Sequence, residues 1–157
     1  MSTCPLPNTE IAQIGFVVRD LEKTKQQVAR FLGVEVPPTV SSGEYAVTQT
    51  VYKGEPAPDT ACTMAFFYFG NVQVEFIQPN EGPSVWRDFL ETKGEGVHHF
   101  AFRVQGSQEY TRRCEEWGMV MEQKGEYRGG NGRYVYMNAL EDLKIFIEML
   151  ESDEPKG

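Results

Sequence analysis

Residues 13–20 read QIGFVVRD and residues 99–106 read HFAFRVQG, 86 positions later. Each is a short run that alternates with period two, the pattern of a strand with one buried face. Each then leads into the same grammar. In the first copy the strand spans Ile11 to Arg19 and Asp20 is a helix N-cap. LEKTKQQVARFL (21–32) places Leu21, Val28, Phe31 and Leu32 on one helix face, and Gly33 closes the helix. In the second copy the strand spans Val97 to Val104, Ser107 is the cap, Tyr110, Cys114 and Trp117 form the face, and Gly118 is the stop. The cap lies 7 positions after Gln13 and 8 after His99, and the closing glycines lie 20 and 19 positions on. The chain reads as one unit written twice.

Three strand-like runs follow each helix. They are roughly Tyr45–Tyr52, Thr63–Phe69 and Val72–Gln78 in the first half, and Val120–Tyr127, Arg133–Met137 and Leu143–Leu150 in the second. Gln13 to Glu75 is 62 positions and His99 to Glu148 is 49. The extra length maps to KGEPAPDTAC (53–62), expected to be a hairpin loop that can grow without touching the core. Asn131-Gly132 marks a hairpin turn. SVWRDFLET (84–92) is expected to form a linker helix with Trp86, Phe89 and Leu90 on its apolar side.

The expected fold is therefore α+β, with two βαβββ modules paired into a curved, half-open mixed β-sheet barrel with flanking helices. Residues 1–157 form one domain: module one at about 9–80, the linker helix at about 83–94, and module two at about 96–151. Alternation assigns the faces. Ile14, Phe16 and Val18, with Phe100, Phe102 and Val104, should pack on the helices. Gln13, Gly15 and Val17 point the other way, with His99, Ala101 and Arg103. Glu75 and Glu148 oppose bulky neighbours and join them on the concave side. The small Gly15 and Ala101 would leave room there for a ligand.

Gln13, Glu75, His99 and Glu148 thus occupy equivalent slots of the two halves. An amide, an imidazole and two carboxylates suit one octahedral divalent cation (Zn, Ni, Co, Mn or Mg) with positions left for two waters or substrate oxygens. His98 should point to the opposite face, as a structural residue or as support for the ligands. Arg128-Gly-Gly-Asn-Gly-Arg133 joins two strands and reads as a hairpin more readily than as a phosphate cradle. Arg103, Lys124, Arg128 and Arg133 are local positive groups that could meet a carboxylate or the phosphates of a thioester substrate. One or two of Phe66, Phe67, Tyr68 and Phe69 should face the cavity.

The net charge of −8 argues against a nucleic-acid partner. No apolar run approaches a membrane span, and MSTCPLPNTE lacks the character of a signal peptide, so a cytoplasmic protein with no membrane partner is expected. Three scattered cysteines argue against a disulfide framework, and Cys114 is expected in the core. ESDEPKG (151–157) is expected to be a solvated tail.

From about Ile11 to Leu150 the chain resembles the vicinal oxygen chelate superfamily, which includes glyoxalases, bleomycin-resistance proteins and dioxygenases. VEFIQPNEGPSVWRDFLETKGEGVHHFAFRV (74–104) is most similar to methylmalonyl-CoA epimerase and its glyoxalase-like relatives. The resemblance implies metal-assisted removal of a proton alpha to a carbonyl or thioester, with Glu148 as the first candidate base and Glu75 as the second. Gln13 departs from the histidine usual in the epimerases and resembles the ligand set of glyoxalase I. Thr48 and Gln49 stand where the epimerases tend to carry a further carboxylate, with Glu44 at that segment's start. Three functions follow: an epimerase or isomerase, a glyoxalase I-like lactoylglutathione lyase, or a non-catalytic binding protein of the bleomycin-resistance type. The substrate would be an acyl-CoA, a thiol adduct of a 2-oxoaldehyde or a similar chelating small molecule. The resemblance also implies a homodimer.

Overall fold

The computed structural model describes residues 4–154. Strand β1 (Gln13–Val17) leads into α1 (Leu21–Leu32), then β2 (Val40–Ser41), α2 (Tyr45–Thr48), β3 (Val51–Tyr52) and β4 (Glu55–Pro56). Strands β5 (Cys62–Phe69) and β6 (Val72–Pro79) complete the first half, and α3 (Val85–Thr92) links it to the second. The second half runs β7 (Gly96–Arg103), α4 (Ser107–Glu116), β8 (Val120–Glu126), β9 (Gly132–Ala139), α5 (Leu140–Leu143) and β10 (Ile145–Ser152).

All strands belong to one open sheet in the order β2-β5-β6-β1-β7-β10-β9-β8-β3-β4. The halves join where β1 pairs antiparallel with β7. On either side of that seam β6 runs parallel to β1, and β10 runs parallel to β7. The helix-side faces form two separate cores. One gathers Phe16, Leu21, Ala29, Phe67 and Phe76 under α1, and the other gathers Phe102, Cys114, Val135, Met137 and Met149 under α4. A third core lies on the concave side, where Trp86 and Leu90 of α3 pack on Val17, Ile77, Tyr136 and Phe146.

Local chemistry sets the helix ends. Asp20 accepts a hydrogen bond from Lys23 N, and Gly33 takes φ 69°, the left-handed cap that a side chain would oppose. Ser84 accepts from Arg87 N at the start of α3. The expectation differs at α4. Gly106 is its cap residue and Ser107 its first helical residue. The capping group is the carboxylate of Glu151, which accepts from the backbone N–H groups of Gly106 and Ser107 and from Ser107 Oγ. Glu151 and Ser152 therefore belong to β10 rather than to a solvated tail; residues 155–157 lie outside the described residues.

Four further expectations are corrected. Tyr45–Tyr52 is not a strand but the short helix α2 followed by β3. The β3–β4 hairpin does not stand clear of the core: β3 pairs with β8, so a piece of the first half forms the far edge of the second. The β8–β9 turn places its left-handed residue at Gly130 (φ 68°), and Gly132 already belongs to β9, so Asn131-Gly132 is not the turn dipeptide. Phe31 is 83% exposed. The buried stripe of α1 runs instead through Leu21, Lys25 and Ala29, with the Lys25 ammonium held by Thr39 and Glu22.

Candidate functional site

The sheet brings Gln13, Glu75, His99 and Glu148 together on its concave side. β6, β1, β7 and β10 are neighbours in that order, so Glu75 and Glu148 flank the strands that carry Gln13 and His99. His99 Nε2 lies 2.9 Å from Gln13 Oε1, 3.2 Å from Glu148 Oε1 and 3.6 Å from Glu75 Oε1. All four side chains are buried. Gln13, Glu75 and Glu148 border a cavity of about 330 Å³ walled by Met64, Phe66, Ile77, Trp86, Tyr134 and Tyr136.

His99 owes its place to Gly15. The two are register partners across the seam, and a Cβ built on Gly15 would fall 1.9 Å from His99 Cε1. The space above Gly15 is thus filled by the imidazole, not by a ligand as expected. A β-bulge follows: Gly15 pairs with His99, but Phe16 pairs with Val97, and His98 is the extra residue. A bulge interrupts alternation. His98 is therefore not on the opposite face. It stacks on Phe146 at 4.7 Å on the concave side, and its Nδ1 lies 2.9 Å from Nδ1 of His99. Its supporting role stands; its expected orientation does not.

Burial dominates the electrostatics. It lowers the His99 imidazole to about 3, so the close carboxylates do not form ion pairs with it at neutral pH. Burial likewise lifts Glu148 to about 8, against a hydrogen bond from Tyr136 that holds it down. Burial, then the charge of Glu148, lifts Glu75 well above the usual carboxylate range. Two carboxyl groups in one dry site without a cationic partner favour either a retained proton or an added cation.

The residues fit a divalent ion by two observations. Glu148 Oε1 is buried and has no hydrogen-bond partner among the described residues. Three oxygens, of Gln13, Glu148 and Glu75, stand 2.9, 3.2 and 3.6 Å from His99 Nε2, a nitrogen and oxygen donor set of the kind divalent ions take. With Nε2 presenting its lone pair, His99 Nδ1–H would donate to His98, the outer partner that metal-bound imidazoles keep. Among the described residues no three of His, Cys, Asp and Glu already surround a common point as ligands do. The Gln13 amide oxygen is a further donor beside His99 Nε2, at 2.9 Å.

Sequence reasoning missed Tyr136. Its register partner is Glu148, its hydroxyl accepts from Trp86 Nε1 at 3.0 Å, and its own hydrogen is left to serve Glu148. Alternation along Arg133–Met137 together with the hairpin register carried the signal. Of the local cations, Arg103 and Arg128 border the cavity and make no ion pair among the described residues. Arg133 is instead held by Glu126, Glu151 and Asp153, and Lys124 borders a separate groove that also takes Thr48 and Gln49. Phe66 faces the cavity, while Phe67 is core.

The sequence profile of the glyoxalase/bleomycin resistance protein/dioxygenase superfamily matches residues 12–137. An uncharacterized Bacillus subtilis protein, YqjC, is 29% identical over 104 residues, covering 66% of this chain and 72% of that one. Methylmalonyl-CoA epimerase from Mycobacterium tuberculosis superposes with a TM-score of 0.62 at 17% identity, covering 96% of this chain and 94% of that one. A variant of the Streptomyces coelicolor epimerase, in complex with 2-nitronate-propionyl-CoA, gives 0.65 at 19%, covering 93% and 99%. A hypothetical protein from Bacillus halodurans, BH1468, gives 0.61 at 17%, covering 94% and 97%. With the profile spanning most of its length and its paired modules meeting at β1 and β7, the chain belongs to the glyoxalase/bleomycin resistance protein/dioxygenase superfamily.

Proposed function

We propose that this protein is a metal-dependent isomerase of the epimerase type, which removes and returns the proton alpha to a carbonyl or thioester. The observation that supports it is the pair of buried carboxyl groups, Glu75 and Glu148, placed on either side of His99 Nε2 and bordering one cavity. Gln13, Glu75, His99 and Glu148 would hold one divalent ion (Zn, Ni, Co, Mn or Mg). When bound, that ion supplies a Lewis acid for charge developing on a substrate oxygen.

The chain's own groups carry the proton. In the ion-free site burial lifts Glu148 above the usual carboxylate range, which makes it a stronger base than an exposed carboxylate. Glu148 accepts the proton on one face of the substrate carbon and Glu75 delivers one on the other. Tyr136, with its hydroxyl oriented by Trp86, steadies Glu148 between its two states. The apolar wall excludes water, and Arg103 and Arg128 meet an anionic group of the substrate. The acyl-CoA analogue held by the Streptomyces epimerase supports a small acyl thioester as that substrate.

The test is exchange of the alpha hydrogen of methylmalonyl-CoA and related acyl thioesters in D2O, followed by NMR with the ion-loaded protein. Glu148→Gln should slow exchange by about 10²–10⁴-fold while the ion is retained. Exchange that survives this change would remove Glu148 from the base role. Gln13 favours a second reading, a glyoxalase I-like lyase. Turnover of a hemithioacetal, without thioester exchange, would select it. We also propose a homodimer, which would sediment at twice 17.8 kDa.

A further inference from the structure

A glutamine side chain can present either end of its amide, and only the oxygen end can ligate a cation. Nothing in Gln13 itself decides which end faces the site. The register of the sheet does. Gln13 of β1 pairs with Gln73 of β6, and Gln73 pairs with Tyr68 of β5. These three register partners on adjacent strands form one row, and its hydrogen bonds run in one direction. Gln13 Nε2 donates to Gln73 Oε1 at 2.7 Å, and Gln73 Nε2 donates to the Tyr68 hydroxyl at 3.1 Å. Gln13 Oε1 is left 2.9 Å from His99 Nε2. The row starts at buried Gln13 and ends at Tyr68, which is 71% exposed.

We propose that Gln73 is a positioning residue: by accepting from the Gln13 amide nitrogen it aims the Gln13 oxygen at the cation site. The inference rests on the cation-binding reading above. Turning Gln13 round would require Gln73 to turn as well, so that its nitrogen donates to Gln13 and its oxygen accepts from Tyr68. A tyrosine hydroxyl tolerates both arrangements, so Tyr68 sets the direction weakly and Gln73 transmits it. A carboxylate at position 73 can only accept, and so holds the productive orientation. An apolar side chain releases it.

The experiment is calorimetric titration of the metal-free protein with Co²⁺, with the d–d absorption of the complex as a second readout. Gln73→Met should weaken Co²⁺ binding by about 10–100-fold, the usual effect of losing an outer partner of a ligand. Its spectrum should move toward that of Gln13→Ala. Gln73→Glu should bind at least as tightly as the parent with an unchanged spectrum, and Tyr68→Phe should fall between the two. In a Gln13→Ala background, Gln73→Met should have no further effect. Parental affinity and spectrum in Gln73→Met would overturn the positioning role. So would an equal weakening in the Gln13→Ala background, or a Gln73→Glu variant as weak as Gln73→Met. A parent protein that binds no Co²⁺ would overturn the cation reading and this inference with it.

Discussion

Gly15→Ala tests how the site is built. The added methyl meets no other group first: the three atoms nearest to it all belong to the His99 ring, at 1.9, 2.3 and 2.4 Å. Ordinary contact would need about 1.5 Å more. The ring cannot retreat freely, because the His98 and Tyr136 rings stand edge-on to it with centroids 5.2 Å away. Forcing a methyl into such a core costs about 1–3 kcal/mol. Displacing the ring also breaks its contacts with Gln13 and His98, each worth about 1 kcal/mol net. The total is on the order of 3 kcal/mol, or a fall in Tm of roughly 6–12 °C for a chain of this size. The assay is a double-mutant cycle by urea unfolding with His99→Ala. Without the ring, Gly15→Ala should cost less than about 1 kcal/mol, since the strand conformation at Gly15 is one other residues adopt. An equal cost in both backgrounds would show that the glycine serves the backbone and not the histidine, and the account given of the site would fail.

The metal-free protein should show a stability plateau in mildly acidic solution. Between pH 4.5 and 6.5 the folded state holds protons on Glu148 and Glu75 and none on His98 and His99, and the unfolded state holds the reverse, so the slopes cancel. Above pH 6.5 the folded state keeps protons on Glu148 and Glu75 that the unfolded state has lost, so stability should fall as pH rises. Below pH 4.5 protonation of the two unfolded histidines is uncompensated, and stability falls as pH falls toward 3. Urea midpoints of EDTA-treated protein check this; the alkaline fall should shrink in Glu148→Gln, where buried Glu75 remains, and vanish with saturating ion. Tyr136→Phe removes the hydrogen bond that holds Glu148 down, so the alkaline fall in the stability of the metal-free protein should move to higher pH. Glu151→Ala leaves the N-terminus of α4 and Arg133 without their shared carboxylate and should cost about 2–4 kcal/mol in urea unfolding, with Co²⁺ affinity unchanged.

What the sequence disclosed was whatever repeats or punctuates. Asp20, Gly33 and Ser84 act locally, and the duplicated spacing from Gln13 and His99 carried the pairing of modules and the convergence of four polar side chains. What escaped depends on partners distant in the chain. The bulge at His98 adds one residue to a strand whose composition is ordinary, and only the facing Gly15 reveals it. The cap of α4 comes from Glu151, 44 residues beyond Ser107. Phe31 satisfied the helical pattern, but the buried stripe of α1 follows Leu21, Lys25 and Ala29 and leaves it exposed, so periodicity alone placed it inside. Tyr136 is a core aromatic by composition and becomes a partner of Glu148 only through the hairpin register.

The β3–β4 hairpin changes what the duplication means for folding. β8 would end the second half as an exposed strand edge, yet residues 51–52 of the first half complete it, and Tyr52 donates to Asp88 of the linker helix. The second half therefore cannot finish its own perimeter when it emerges, and the first half cannot bury this hairpin until the second exists. A chain cleaved between the halves would yield two fragments with matching open edges, neither of them a self-sufficient folding unit. Although the sequence counts to two, unfolding should be a single cooperative transition.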